Sequence, residues 1–284
     1  MFLILFRMFK FFTKFVPVTL HIGSAMTAPF EKLLLVLVLA IPFSTLVRAQ
    51  DGSGEEFSAD RPGAIGGSDI LPKGRVQLES GSSWERSALE GPWTTTFSVA
   101  ESLLRVGLSD NAEAHFQGNY LIISNWGGRD RGFDNFSFGT KVKLLDGERF
   151  VPDIAINADV IIPGKKGSIF MRQNWGGQMA LLFENRITDW FYLCYEGDLI
   201  FYGEGTPEFF YGVELFFQPW KKFSVILDQY NYSGSFGTEC WSELSLAYLV
   251  APRLQIDLST DVCLSDPSRY GGLSVGFAWQ ITKR

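Results

Sequence analysis

The sequence predicts an all-β protein, a transmembrane antiparallel up-and-down β-barrel of about twelve strands. Three observations carry that expectation. From near Arg75 almost to the end, apolar residues recur at every second position with polar or small residues between them. Phe136, Phe138, Val142 and Leu144 interleave with Asn135, Ser137, Gly139, Lys141 and Lys143, and Leu254, Ile256 and Leu258 alternate with Gln255, Asp257 and Ser259. A period of two means strands with one apolar and one wet face. Second, the alternating segments are about twice the length of an ordinary globular strand, enough to cross a bilayer at a tilt. Third, they follow a stretch with the features of a secretion signal.

That stretch comes first in the chain. Leu33 to Ile41 is an unbroken apolar run behind Lys32, followed by Val47-Arg48-Ala49. Apolar or small residues three and one positions before a cut predict cleavage after Ala49, and the run is too short for a spanning helix. Residues 1–49 therefore read as a presequence with a cleavable signal peptide. Met26 starts a signal of ordinary length. The basic, aromatic stretch before it either precedes the true start of translation or belongs to one long signal. Residues 50–73 form a polar lead, periplasmic or plug-like, containing Asp60-Arg61-Pro62-Gly63, and residues 74–284 form the barrel.

Within the barrel, strands are expected at 74–86, 95–108, 112–124, 133–145, 151–162, 175–185, 190–201, 208–218, 222–233, 238–250, 253–265 and 270–282. The connections after even-numbered strands are rich in turn residues: Ser109-Asp110-Asn111, Asp146-Gly147-Glu148-Arg149, Arg186-Ile187-Thr188-Asp189, Pro219-Trp220-Lys221-Lys222 and Ala251-Pro252-Arg253. Asp, Asn, Gly and Pro supply positive φ, local hydrogen bonds or a fixed φ. The other connections, such as Trp126 to Gly132 and Pro163 to Gly167, read as longer glycine-rich loops. Tight turns at one mouth and longer loops at the other are the asymmetry of an outer-membrane barrel.

Composition narrows the class. Mean hydropathy is near zero while aromatics and glycine are abundant, because alternation dilutes the hydrophobicity of a transmembrane barrel. The net charge of −6 argues against nucleic acid as a partner. Cys194, Cys240 and Cys263 fall within expected strands and read as packed small hydrophobes. No spacing of Cys or His suggests a metal site, and no cofactor is expected. The tryptophans at 84, 93, 126, 175, 190, 220, 241 and 279 fall mostly near strand ends, as an interfacial girdle requires.

Alternation alone leaves open which face is wet, since a soluble calyx points its apolar face inward. Strand length, strand number and the signal favour apolar-out, which puts the charged face in the lumen. The pathway-lining candidates are Arg105, Glu113, His115, Glu196, Asp198, Glu214, Asp257 and Asp261, with Lys141 and Lys143 as minority cations. A carboxylate-rich lumen repels anions and holds cations or neutral polar solutes more easily. The expected function is a passive outer-membrane channel for small molecules. Its expected partners are membrane lipid, the solute and the barrel assembly machinery. A barrel packed shut, with binding done by its loops, is the alternative of another class. A lipid hydrolase using His115 is a third, but no Ser-centred motif accompanies that histidine, so no catalytic residue is assigned.

Several stretches resemble one family. Asp60-Arg61-Pro62, then Leu71-Pro72-Lys73-Gly74-Arg75-Val76-Gln77-Leu78-Glu79-Ser80-Gly81, resembles the opening of the meta-pathway phenol-degradation family of outer-membrane barrels. Leu103 to Asp110 is similar to its second strand and first turn. Ile156 to Pro163, Ile187-Thr188-Asp189, Leu249 to Ile256 and Val275 to Trp279 fit its later strands. The resemblance implies an outer-membrane barrel that passes hydrophobic or aromatic compounds, and it brings no catalytic residue. It singles out Asp60, Arg61 and Pro62, which read either as a lead tucked into the barrel mouth, with Arg61 on lumen carboxylates, or as a turn into the first strand. Barrel strands commonly close on an aromatic residue read during assembly, whereas this chain closes on Gln280-Ile281-Thr282-Lys283-Arg284.

Overall fold

The computed structural model describes residues 57–88, 92–148, 151–164, 174–202, 205–235, 237–266 and 270–282. The expected presequence and its cleavage site lie outside the described residues. Twelve strands follow one another: β1 (Val76–Ser87), β2 (Thr94–Ser109), β3 (Ala112–Asn125), β4 (Gly128–Leu145), β5 (Asp153–Ile161), β6 (Gly176–Thr188), β7 (Phe191–Phe201), β8 (Glu208–Trp220), β9 (Phe223–Gly234), β10 (Gly237–Ala251), β11 (Leu254–Cys263) and β12 (Tyr270–Gln280). Each pairs antiparallel with its sequence neighbours, and β1 pairs with β12 to close the barrel. Closure leaves no unpaired edge, the condition for crossing lipid with strands.

Burial is inverted relative to a soluble barrel. Along β2, Leu104 is 38% exposed and Leu108 52%, while Arg105 between them is 1% exposed. The same reversal holds for exposed Phe138 beside buried Ser137, and for exposed Ile256 and Leu258 on either side of buried Asp257. Charged groups inside and large apolar side chains outside identify the exterior as a lipid-facing surface. Trp84, Trp93, Trp126, Trp175, Trp220 and Trp279 are exposed. Trp241 departs from the expected girdle, because it faces inward and meets the Tyr270 ring edge-on at 4.3 Å. All three cysteines are free, and Cys194 and Cys263 pack in the same inward cluster as Trp241.

Two connections differ from expectation. Trp126 to Gly132 is no long loop. Trp126 and Gly127 form a tight turn, and β4 begins at Gly128. The Asn125 side chain accepts the Gly127 N–H at 2.9 Å, and Gly128 takes a φ of 138°, a conformation glycine adopts without Cβ strain. Conversely, Asp146–Arg149 is only part of a longer connection, because β5 starts at Asp153. The Asp153 carboxylate accepts the Gly147 N–H and holds the near end of that connection in place.

Candidate functional site

Residues 57–73 leave the sheet and fill part of the lumen as a finger. At its base the Ser58 carbonyl accepts the Gln77 side-chain N–H, at the mouth where β1 begins. The chain climbs through Asp60 and Arg61 and carries Ile65 at its tip into the inward cluster containing Phe210, Tyr230 and Trp241. It then descends through Ser68 to Leu71, whose N–H reaches Glu113 at 2.6 Å, near the start of β3. Both legs stand at the same mouth.

Two strand cations hold the legs together. The Lys141 ammonium lies 2.8 and 2.9 Å from the two carboxylate oxygens of Asp60 on one leg, and 3.1 Å from the Gly67 carbonyl on the other. Arg105 makes a two-pronged bond to Glu113 at 2.8 and 2.9 Å, reaches Glu79 at 3.1 Å, and donates to the Asp69 carbonyl. Its remaining approach is to Asp60 at 3.4 Å. Planar guanidinium–carboxylate forks of this kind combine strength with fixed geometry. Burial pushes the Asp60 carboxyl up, but Arg105 and Lys141 outweigh it and hold that group below the usual carboxylate range.

Elsewhere the finger is held by its backbone. The N–H groups of Asp60 and Arg61 donate to Glu79, that of Ala64 to Asp228 at 2.9 Å, and that of Gly66 to Glu196 at 2.5 Å. The Ser68 hydroxyl donates to Glu184. Main-chain groups far from any ladder thereby find charged acceptors, which is why a coil can lie buried in the bore. Small residues make this approach possible. At Gly63, with φ of 121°, an added Cβ would stand 2.9 Å from Glu214 and 3.1 Å from Asp228.

Arg61 is seated more specifically. Gly81 on β1 and Gly276 on β12 are register partners, and a Cβ on either would collide with the Arg61 guanidinium. From that slot Nη2 donates to Asp257 at 3.1 Å and to Ser274 at 3.2 Å. Nη1 is 3.6 Å from Glu101, and the Arg61 carbonyl accepts from Gln255 at 2.7 Å. The Arg61–Pro62 peptide bond is cis.

The strand register reveals a larger pattern. Glu85 pairs with Gly272, Gly272 with Asp261, Asp261 with Glu243, Glu243 with Asp228, Asp228 with Glu214, Glu214 with Cys194, Cys194 with Glu184 and Glu184 with Asp153. This is one continuous row of inward positions from β1 round to β5, and it alternates carboxylates almost without interruption. Because barrel strands are tilted, the row winds along the bore. It starts near the last residue of β1 and ends on the first residue of β5, so it connects the two mouths. The finger covers its middle steps, at Asp228, Glu214 and Glu184.

On either side of the finger a cavity remains. One, of about 150 Å³, is bounded by Arg61 and Pro62 and by Glu85, Glu101, Glu243 and Asp261. The other, of about 350 Å³, lies against Asp60 and Gly63–Gly66 and faces β2 to β9.

The residues singled out in the sequence fall into this arrangement as follows. Arg105 and Glu113 clamp the base of the finger, Glu196 takes the Gly66 N–H, Glu214 abuts Gly63, and Asp257 pairs with Arg61. Asp261 borders the smaller cavity and Asp198 the larger. His115 Nε2 is 2.8 Å from Asp159, and the Ser137 hydroxyl donates to that same carboxylate. Serine and imidazole thus share an acid instead of facing one another as nucleophile and base. Asp60 and Arg61 are the anchors of the finger, with Pro62 beside the smaller cavity. Sequence reasoning passed over Glu79, Gly81, Gly276 and the row as a row. Glycine at an inward strand position was the available signal, since it marks close approach of another group to the sheet.

The sequence profile of the family described as "Putative MetA-pathway of phenol degradation" matches residues 59–281. The chain belongs to that family. Since the match begins one residue before Asp60, the family's unit comprises the finger as well as the barrel. Comparison with curated proteins gives no match. Among solved structures, this phenol-degradation-family barrel is similar to the COG4313 outer membrane channel from Pseudomonas putida F1, with a TM-score of 0.64 at 11% identity over 78% of this chain and 99% of that one. It is also similar to the NanC porin, with a TM-score of 0.51 at 8% identity over 72% and 100%. The translocator domain of the autotransporter NalP from Neisseria meningitidis gives a TM-score of 0.51 at 12% identity over 75% and 90%. At these identities the likeness is one of fold. An outer-membrane barrel fold with a lipid-facing exterior and a charged bore is what the family member presents.

Proposed function

We propose that this protein is a passive outer-membrane channel for small solutes that favours cations, and that the finger sets its resting aperture. The carboxylate row carries the reading, because its steps at Glu85, Asp261 and Glu243 stand open to a cation beside the smaller cavity while Lys141, Arg105 and Arg61 are committed to the finger. Fixed carboxylates close together favour a passing cation and repel an anion. The lining roles of Arg105, Glu113, His115, Glu196, Asp198, Glu214, Asp257 and Asp261 belong to this proposal. So do the division into presequence 1–49, lead 50–73 and barrel 74–284, delivery by the barrel assembly machinery, and the absence of catalysis. The family description connects its members with phenol degradation, which supports small aromatic compounds among the solutes.

The test is conductance of the protein in planar bilayers under a potassium chloride gradient. Discrete steps with a reversal potential of the cation-selective sign are expected. Steps with anion preference would overturn the reading. A folded, heat-modifiable barrel that stays silent would favour the second reading, a lumen closed by the finger with function in the loops. That alternative draws its support from the number of bonds seating the finger.

A further inference from the structure

The larger cavity carries a pattern that the general cation preference does not explain. Asn157 on β5, Ala180 on β6, Asp198 on β7, Phe210 on β8 and Tyr232 on β9 are successive register partners. All but Ala180 line the cavity. One row therefore presents two polar acceptors, then two aromatic rings. Ala180, buried and small, separates Asn157 from Asp198 by a notch two strand spacings wide, about 9.5 Å between backbones.

The acceptors are incompletely used. Asp198 is 6% exposed, and its Oδ2 accepts from the Gln178 side chain at 2.6 Å, while its Oδ1 has no donor other than the neighbouring Glu196 carboxyl. The Asn157 amide donates to Asp159 at 2.8 Å, while its own oxygen is without a partner. Buried acceptors left unsatisfied are costly, and a donor placed between them removes that cost. Glu196, on the same face of β7, adds a second carboxyl group to this side of the cavity, and Lys141 across it is tied to Asp60 and Gly67. A ligand here gains most if its donors carry positive charge.

The neighbouring wall asks for something different. The Phe210 and Tyr232 rings stand 5.0 Å apart and tilted, with Ile200 beside them. Such a surface buries a flat apolar body and also favours a cation near its ring faces. A cavity of about 350 Å³ is in the range of small-molecule sites.

We infer that this cavity is a binding site for a small amphiphilic cation, a primary amine on an aromatic or compact apolar body. Its ammonium donates to Asp198 Oδ1 and Asn157, and its body lies on Phe210 and Tyr232. The inference deepens the channel reading by naming a solute class, and rests on that reading only for the solute's passage.

Calorimetric titration of the detergent-purified protein with 2-phenylethylamine tests it, with 2-phenylethanol and 3-phenylpropanoate as neutral and anionic counterparts. The amine should bind roughly tenfold or more tightly than the alcohol, and the acid should not bind, the preference expected when buried acceptors and charge read the head group. Asp198→Asn and Asn157→Leu, each with heat-modifiability retained, should weaken the amine by a similar factor and bring it level with the alcohol. Equal binding of amine and alcohol, an unchanged amine affinity in both variants, or no binding at all would overturn the proposal. The last result would mean that Asp198 and Glu196, two residues apart on β7, satisfy one another. Potassium conductance of the same preparation is read separately. Conduction without amine binding sinks this proposal alone, and binding without conduction sinks the channel reading alone.

Discussion

Gly81 and Gly276 face each other across the β1–β12 seam, and the space their missing side chains leave is occupied by the guanidinium of Arg61. A glycine inside a strand weakens it, so a facing pair is a feature with a use. Replacing Gly276 with Leu should expel Arg61 from the slot, separate it from Asp257, and loosen the finger. Single-channel conductance should rise above that of the unaltered protein. An unchanged conductance in a folded variant would mean that the slot does not set the aperture.

The Asp60–Lys141 contact gives a pH expectation with a definite sign. Asp60 is held below its ordinary range, so its stabilising contribution is fully present above its unfolded value, about pH 4, and is lost as pH falls through the lowered folded value. The clasp should therefore be constant from pH 5 to 8. Asp60→Asn should show at neutral pH an open state that the unaltered protein reaches only below about pH 4. A conductance series in acid checks this, and an Asp60→Asn trace indistinguishable from the parent at neutral pH would count against it.

Arg105 stands between Glu79 and Glu113, all three buried. Arg105→Met strands two carboxylates without their counterion, a change that costs about 3–5 kcal/mol when a buried pair is broken. Urea unfolding of the refolded barrel should shift by that order. Adding Glu79→Gln and Glu113→Gln should restore most of the loss. If the triple variant is no more stable than Arg105→Met, the penalty is one of packing and not of charge.

The upper steps of the carboxylate row, Glu243 and Asp261, border the smaller cavity and are register partners. Glu243→Gln combined with Asp261→Asn should move the reversal potential toward zero, because fixed charge near the path sets selectivity. No movement would place the ion path elsewhere, through the larger cavity.

The barrel was legible because alternation is a local property. Each strand announces itself by its own residues, and twelve strands were expected within a few residues of where they lie. β4 was the largest miss. Gly128 to Gly132 is rich in charge and glycine, the composition of a loop, yet pairing with β3 carries it as strand. The finger was legible only in part. Asp60 and Arg61 could be noticed, but most of its bonds join backbone N–H or C=O groups to side chains on distant strands, and backbone groups are the same in every sequence. An indirect sign existed, since the inward carboxylates far outnumber the inward cations, and unsatisfied buried charge implies donors from elsewhere. The row was invisible because positions 85, 153, 184, 214, 228, 243 and 261 share no spacing along the chain. Their order exists only around the circumference.

The two legs of the finger stand at one mouth, and this has a consequence for how the molecule changes state. A segment threaded from end to end could leave only by breaking the wall or pulling a long tail through it. A hairpin held by side chains withdraws the way it came, with every ladder bond between strands left intact. The β1–β12 seam, which the finger presses through Arg61, would lose one guanidinium and no register. Aperture and wall are thus separable, so the bore can be altered without any loss of the barrel that contains it.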